Sequence, residues 1–336
     1  MKILHQQGGA RLAIEEVAIP VPKAGEVLIK TAVSALCGSE MSTYRGDGRP
    51  SGNLGHEAAG VVVAVGPDAS GRITVGQRVG VSAIVGWNEQ DENYRAGRYT
   101  WCDKFTFHCD MHAEYFTIPE QGCHLLPDEI PWDVGVLITG DGLGVPYHTS
   151  LKIKAEDIRT VVVYGLGPIG LGNVLLQTFL GRRVIGVDRS PERVDIAKRL
   201  GATDTILSTE GADVVARIVE LTNGRGADVA IEAAGIPVTA KLCFLSVRKG
   251  GTVVFNGEQP AVTLSPSDDF IRRDITAMGS WFYHFSEYPE MRALYESGLA
   301  ASSLITHQFP FAQADEAYRS MAEGRCGKVL LTHGND

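Results

Sequence analysis

The run Val161-Val162-Val163-Tyr164-Gly165-Leu166-Gly167-Pro168-Ile169-Gly170 constrains the chain more than any other stretch. Four β-prone residues enter a G-x-G-x-x-G turn, an amphipathic helical stretch follows to Gly181, and a second apolar run, Val184-Ile185-Gly186-Val187, ends at Asp188. The order predicts strand, tight turn, helix and second strand. Gly165 allows the turn, Gly167 lets the backbone approach a pyrophosphate, and Gly170 lets the helix pack closely on the strand. With Pro168 and Ile169 these glycines open a helix whose unpaired N–H groups suit a diphosphate. Asp188, eighteen residues after Gly170, can accept from a ribose 2'-hydroxyl and repels a 2'-phosphate, which favours NAD over NADP. Arg189 and Arg193 beside it are the counter-signal, either as 2'-phosphate partners or as solvated surface side chains.

Around this unit the 336 residues suggest two domains, each with enough chain for a core. Residues 1 to about 130 read as short strands (Glu26 to Val33 and Gly60 to Gly66 among them) broken by Gly and Pro turns, which predicts a barrel-like domain. From about 155 to 282 strands and helices alternate, which implies an α/β fold with a doubly wound parallel sheet. After Pro289 an amphipathic helix, a strand near His307, a helix from about Ala312 to Met321 and the strand Lys328 to Leu331 are expected to rejoin the first domain. A net charge of −9 without a basic run argues against a nucleic-acid partner. The N-terminus lacks a signal-peptide core, no apolar run reaches membrane-spanning length, and six scattered cysteines form no disulfide framework, so a cytoplasmic protein is expected.

Cys37-Gly38-Ser39-Glu40 and Gly55-His56-Glu57 lie in the β-rich part, with eighteen residues between Cys37 and His56. Alone, Cys37 reads as a buried thiol and His56 as a satisfied core or turn histidine. Together with Ala113-Glu114-Tyr115-Phe116, the glycine fingerprint and Leu304 to Pro310, they make the chain resemble the zinc-dependent medium-chain alcohol dehydrogenase family over nearly its whole length. The resemblance implies a GroES-like β-barrel catalytic domain (residues 1–150), a Rossmann dinucleotide-binding domain (151–283) and a return segment completing the catalytic domain (284–336). In that family the Cys and the His bind catalytic zinc, and a further ligand lies seven residues before a histidine in a Y-H or F-H pair. Tyr147-His148 is such a pair, and counting back gives Asp141. The implied ligands are thus Cys37, His56 and Asp141, with Glu57 alternating with water, in the layout of a catalytic site with a replaceable position. The simpler readings are a helix cap for Asp141 and a salt-bridge partner for Glu57.

The family often carries a second zinc on four cysteines, but alignment puts Asn88, Asp91, Tyr94 and Cys102 at those positions, so no structural zinc is expected. His108, Cys109 and His112 look metal-like by type but read as ordinary loop or strand residues. Ser39 matches the family's proton-relay hydroxyl. The relay's outer histidine is Ser42 here, which leaves Ser42, Tyr44 or solvent as the exit, and Glu40 reads as structural. Ala233, in Glu232-Ala233-Ala234-Gly235, falls where the family's chain passes the nucleotide. The substrate implied is a secondary alcohol of a polyol, sugar, cyclitol or aminocyclitol; Tyr44, Trp281, Tyr283 and His284 are candidate contacts. The polyol dehydrogenases of the family place an Arg-Tyr pair near the end of the dinucleotide domain, and Gly279 to His284 offers Tyr283 but no arginine, so simple sorbitol oxidation fits poorly. A homodimer or homotetramer is implied. The competing readings are a zinc-free NADPH-dependent reductase of the same fold and a non-catalytic dinucleotide-binding protein.

Overall fold

Two large sheets organise the chain in a computed structural model that describes residues 1–209 and 212–334. One is wholly parallel, in the spatial order Asp204–Leu207, Arg183–Asp188, Thr160–Tyr164, Ala227–Glu232, Val247–Phe255, Thr276–Gly279. The strand Thr160–Tyr164, the first of them in sequence, is buried on both faces, so alternate residues feed different cores. Val161 and Val163 join a cluster with Leu171 and Leu175 of the helix Pro168–Phe179, whereas Val162 and Tyr164 join one with Ile218 and Phe244. That is why the run reads as continuously apolar. Strand order reverses on either side of Thr160–Tyr164, and ligands of such sheets bind in the crevice outside the carboxyl ends at this point.

The other sheet is mostly antiparallel and is centred on Glu26–Ala35. One edge of that strand pairs with Ala58–Val65; its other edge pairs first with Tyr115–Pro119 and then with Lys328–Thr332. Arg78–Val81 and Cys123–Leu125 extend the sheet on one side, and Ile305–Pro310 extends it on the other. The last strands of the chain therefore hydrogen-bond into the sheet made by its first third.

Two helices, Trp132–Ile138 and Asp141–Lys152, connect the sheets. The second carries Pro146 and two glycines and has low intrinsic helix propensity, yet every residue from Asp141 to Ser150 is buried. Packing holds it. A Cβ on Gly172 would lie 2.6 Å from the Gly142 carbonyl oxygen, so the helix Pro168–Phe179 approaches at backbone distance. The consequence is a rigid rod with Asp141 at its N-terminus and His148 two turns on. Among the described residues no helix is long and apolar enough to cross a membrane.

Candidate active site

Three segments deliver Cys37, His56, Glu57 and Asp141 to one buried point, where one ligand atom from each lies within 4.8 Å of the others. Cys37 follows the strand Glu26–Ala35 and is fixed by its N–H donating to Glu40 Oε1 at 2.8 Å. His56 Nδ1 lies 2.7 Å from the Leu54 carbonyl oxygen. A carbonyl only accepts, so Nδ1 carries a hydrogen and Nε2 is the nitrogen turned inward, the orientation a metal-ligating histidine needs. Asp141 opens its helix, where the positive end of the dipole favours a carboxylate. Its Oδ2 lies 3.1 Å from His56 Nε2 and 3.6 Å from Cys37 Sγ. Gly140 matters here because a Cβ on it would sit 2.8 Å from Glu57 Oε2.

Sequence reasoning missed Lys328. Its ammonium donates to Glu57 Oε1 while Glu57 Oε2 accepts from the Gly142 N–H at 3.3 Å, and both side chains are fully enclosed. Burial opposes the charge on Lys328, but Glu57 and then Cys37 and Asp141 outweigh it and raise its pKa. Burial likewise pushes the Glu57 carboxyl up against the pull of Lys328. Burial would depress His56, yet Cys37 and Asp141 hold it well above its ordinary value.

The cluster fits zinc on two observations. Thiolate, imidazole and carboxylate are its usual donors, and Asp141 Oδ1 is buried with no hydrogen-bond partner among the described residues, a cost that a cation would remove.

Behind the ligands runs a buried polar chain that the sequence did not disclose. Glu40 Oε2 faces His112 Nε2 at 3.1 Å and accepts from the Tyr318 hydroxyl, and His112 Nδ1 meets Ser34 Oγ at 2.8 Å. His112, read from sequence as an ordinary residue, is thus a fully buried partner of Glu40. Ser39 is exposed two residues from Cys37, and Ser42 Oγ donates to the Ser39 carbonyl at 3.1 Å.

At the glycine-rich turn, Gly165 has φ +86° and a Cβ there would meet Ala234 N at 2.6 Å, while one on Gly170 would lie 1.8 Å from the Gly165 carbonyl oxygen. Around Gly167 the space is open; within 4 Å a Cβ would meet only Arg193, at the 4.0 Å limit. Packing within the chain therefore does not demand glycine there. Pro168 and Ile169 begin the following helix. Asp188 accepts from Leu166 N–H at 2.6 Å and from Ser190 N–H at 2.8 Å, tying the turn to the second strand. Arg189 is exposed, Arg193 Nε donates to the Cys326 carbonyl at 3.1 Å, and Ala233 N–H donates to the Tyr164 carbonyl at 2.8 Å.

Outside the carboxyl ends of Val247–Phe255 and Thr276–Gly279 lies a cavity of about 860 Å³ lined by Trp101, His148, Lys152, Asn256, Ser280 and Trp281, among others. Of the substrate candidates only Trp281 lines it. Tyr44 is buried against Tyr318, ring centroids 5.2 Å apart, and Tyr283 is buried with its hydroxyl donating to the Thr139 carbonyl, so both are packing residues in this structure. His284 faces Thr100 Oγ1 at 3.0 Å, and burial lowers its pKa to about 4. In the segment 88–102, which holds the four positions aligned with the family's second zinc, Asp91 caps the helix Glu92–Arg95, Asn88 accepts from Gln90 N–H, Tyr94 packs on Trp87 and Tyr99, and Cys102 is buried.

Comparison with known proteins agrees with this geometry. Residues 23–128 match the alcohol dehydrogenase GroES-like domain and residues 168–297 the zinc-binding dehydrogenase domain. The chain is 34% identical over 354 residues to the uncharacterized zinc-type alcohol dehydrogenase-like protein YphC of Escherichia coli (strain K12), with 98% of each chain covered. It is 30% identical to a probable D-xylulose reductase A of Arthroderma otae, covering 97% of this chain and 95% of that one. Galactitol-1-phosphate dehydrogenase from Escherichia coli superposes with a TM-score of 0.86 at 26% identity, covering 99% of this chain and 100% of that chain. The chain belongs to the zinc-dependent medium-chain alcohol and polyol dehydrogenase family, with a GroES-like and a Rossmann-type part. It is an NAD(P)-dependent oxidoreductase acting on CH–OH groups.

Proposed function

We propose that this protein oxidises a secondary alcohol of a polyol, sugar, cyclitol or aminocyclitol with NAD, using one catalytic zinc held by Cys37, His56 and Asp141, with Glu57 alternating with water. The observation that carries the reading is the convergence of these four buried side chains around the orphaned Asp141 Oδ1. Zinc there would supply a Lewis acid to the alcohol oxygen, and the nicotinamide would take up the hydride. The chain's own residues then have distinct tasks. His56 keeps Nε2 aimed by bonding Leu54 through Nδ1, Lys328 holds Glu57 off or releases it, and the exposed Ser39 hydroxyl takes the alcohol proton to solvent, since the Ser42 hydroxyl is bonded to the Ser39 carbonyl and not to its hydroxyl. Gly165, Gly167, Pro168, Ile169, Gly170 and Ala233 line the pyrophosphate and nucleotide path, and Trp281 meets the substrate end.

Preference for NAD is supported by the Asp188 carboxylate at the end of the second strand, and by Arg193 spending its Nε on Cys326. The excursion at 88–102 carries no zinc in this reading, because its four positions hold one thiol. The chain divides at 1–150, 151–283 and 284–336, and it acts as a homodimer or homotetramer in the cytoplasm, a compartment in which cysteines outside disulfides, as here, persist. A panel of polyols, sugar alcohols, cyclitols and amino alcohols, assayed with NAD and NADP before and after zinc removal, tests it. Zinc-dependent NAD reduction by a member of those classes is expected. Turnover that survives complete zinc removal overturns it.

A further inference from the structure

Water-exposed aromatic rings gather on one side of the candidate site. Among the described residues five phenylalanine and tryptophan side chains are exposed, and four of them, Trp101 (52%), Phe105 (38%), Phe107 (39%) and Trp281 (42%), belong to two segments that meet at the cleft. Single exposed apolar residues need no explanation, whereas a contiguous patch marks a binding surface.

The rings form a path. Phe107 lies against His56, ring centroids 5.1 Å apart, and against Phe282 at 6.1 Å; Phe282 meets Trp281 at 5.9 Å, and Trp281 meets Phe105 at 5.9 Å. Trp281 and Trp101 then line the cavity of about 860 Å³. The wall therefore begins beside a ligand of the candidate zinc position and ends in the cavity.

Backbone structure fixes the wall on both sides. The short strand Thr106–Phe107 pairs with Ile84–Val85, and the next residue, His108, donates its N–H to the Ala83 carbonyl at 2.8 Å. Phe282 has φ +55°, a left-handed conformation that bulky side chains adopt rarely and at a cost. Phe282 is buried, its ring stacked on Tyr283 at 5.0 Å, and the Tyr283 hydroxyl donates to the Thr139 carbonyl two residues before Asp141. The chain thus accepts strain at the point where it presents the Trp281 indole to water.

We propose that Phe107, Phe105 and Trp281 form a stacking platform for a substrate whose reacting secondary alcohol sits on a saturated six-membered ring, a cyclitol or a pyranose, in preference to an open-chain polyol. The platform serves the alcohol oxidation proposed above and rests on that reading. A chair turns the C–H bonds of alternate carbons to one face and keeps equatorial hydroxyls at its rim, so it covers an aromatic ring without desolvating them. An extended polyol carries hydroxyls on both sides, and pressing it on the same rings strips water from groups that the rings cannot bond. His148, Lys152 and Ser280, on the lining of the cavity, are the polar partners available to rim hydroxyls.

The test compares inositols and aldopyranoses with hexitols on the full-length, zinc-loaded protein. Binding is read apart from turnover: in saturation-transfer NMR the C–H protons of one ring face should receive the strongest transfer, and hexitols should bind at least about tenfold more weakly. With NAD, kcat/KM for the preferred ring should exceed that for every hexitol by about tenfold or more. Trp281→Ala and Phe105→Ala, both at exposed positions, should raise KM for the ring about tenfold with a smaller change in kcat, as loss of uniform binding requires, and Trp281→Phe should restore most of it. Hexitols bound as tightly as rings, or an unmoved KM in both alanine variants, overturn the proposal. A change of oligomeric mass in those variants with KM unmoved assigns the patch to a second copy of the chain and overturns it as well. Selective ring binding without zinc-dependent NAD reduction would leave the platform standing and overturn the reaction instead.

Discussion

Lys328 and Glu57 form an enclosed ion pair across 271 positions of sequence, and the carboxylate in that pair is one of the four groups gathered around the candidate zinc position. Removing one partner of a buried pair leaves an uncompensated charge and costs about 3–5 kcal/mol. Lys328→Met is therefore expected to lower the unfolding free energy obtained from denaturant titration by an amount in that range, and the midpoint with it, with Lys328→Arg recovering most of the loss. Equal unfolding midpoints for the native protein and Lys328→Met would show that the pair carries no such stability.

Metal binding should depend on pH through His56. With no ion present, Cys37 and Asp141 overcome burial and hold its pKa well above the ordinary value, so the imidazole keeps a proton that zinc must displace. Affinity then falls as pH falls below that raised pKa, by about tenfold per pH unit for one competing proton. Competition titrations against a chelator of known affinity between pH 6 and 8 would measure this. A flat profile would contradict the assignment of His56 Nε2 as a ligand.

Two glycines of the fingerprint should fail in different ways. A Cβ at Gly170 meets the Gly165 carbonyl oxygen at 1.8 Å, whereas one at Gly167 meets nearly open space. Gly170→Ala is expected to destabilise the fold by about 1–3 kcal/mol, the usual cost of overpacking. Gly167→Ala should leave the melting temperature in place and weaken NAD binding by at least about tenfold, or ~1.4 kcal/mol. Calorimetric titration of NAD into the two variants, with their melting curves, separates the effects. Undiminished NAD affinity in Gly167→Ala would place the pyrophosphate elsewhere.

Glu40 links the ligand loop to acid stability. Burial alone would raise its pKa, but His112, His56 and Tyr318 outweigh burial and bring it down to about 2. A carboxyl depressed from 4.5 in this way stabilises the fold fully above its unfolded pKa, and the contribution is lost as pH falls through the folded value. The stability gap between the native protein and Glu40→Gln should hence be constant above about pH 5 and close on acidification. A gap that widens toward acid would reverse the sign and remove the account.

Legibility from sequence followed the range of the interactions. The strand, glycine turn, helix and Asp188 could be read because every contact that defines them is local, within about thirty residues. Cys37, His56 and Asp141 were found through family spacing, and the structure brings them together. Lys328 escaped because a lysine opening the apolar run Lys328-Val329-Leu330-Leu331 looks like a solvated strand end; only the fold supplies its carboxylate partner. His112 was set aside for the same reason, its partners Ser34 and Glu40 lying 78 and 72 residues away. Tyr44 and Tyr283 carry a polar tip on a large apolar body, and sequence alone does not tell which end the fold will satisfy. A lone lysine in an apolar strand and a histidine near an acidic ligand loop were the available signals.

Cobalt substitution tests the central claim most directly. If Cys37, His56 and Asp141 grip one ion, the Co²⁺-loaded protein should show a thiolate-to-cobalt charge-transfer band in the near ultraviolet. Cys37→Ser should lose the band, and Asp141→Asn should change its position or intensity. A cobalt-loaded protein without the band, or a band that persists in Cys37→Ser, would contradict the site.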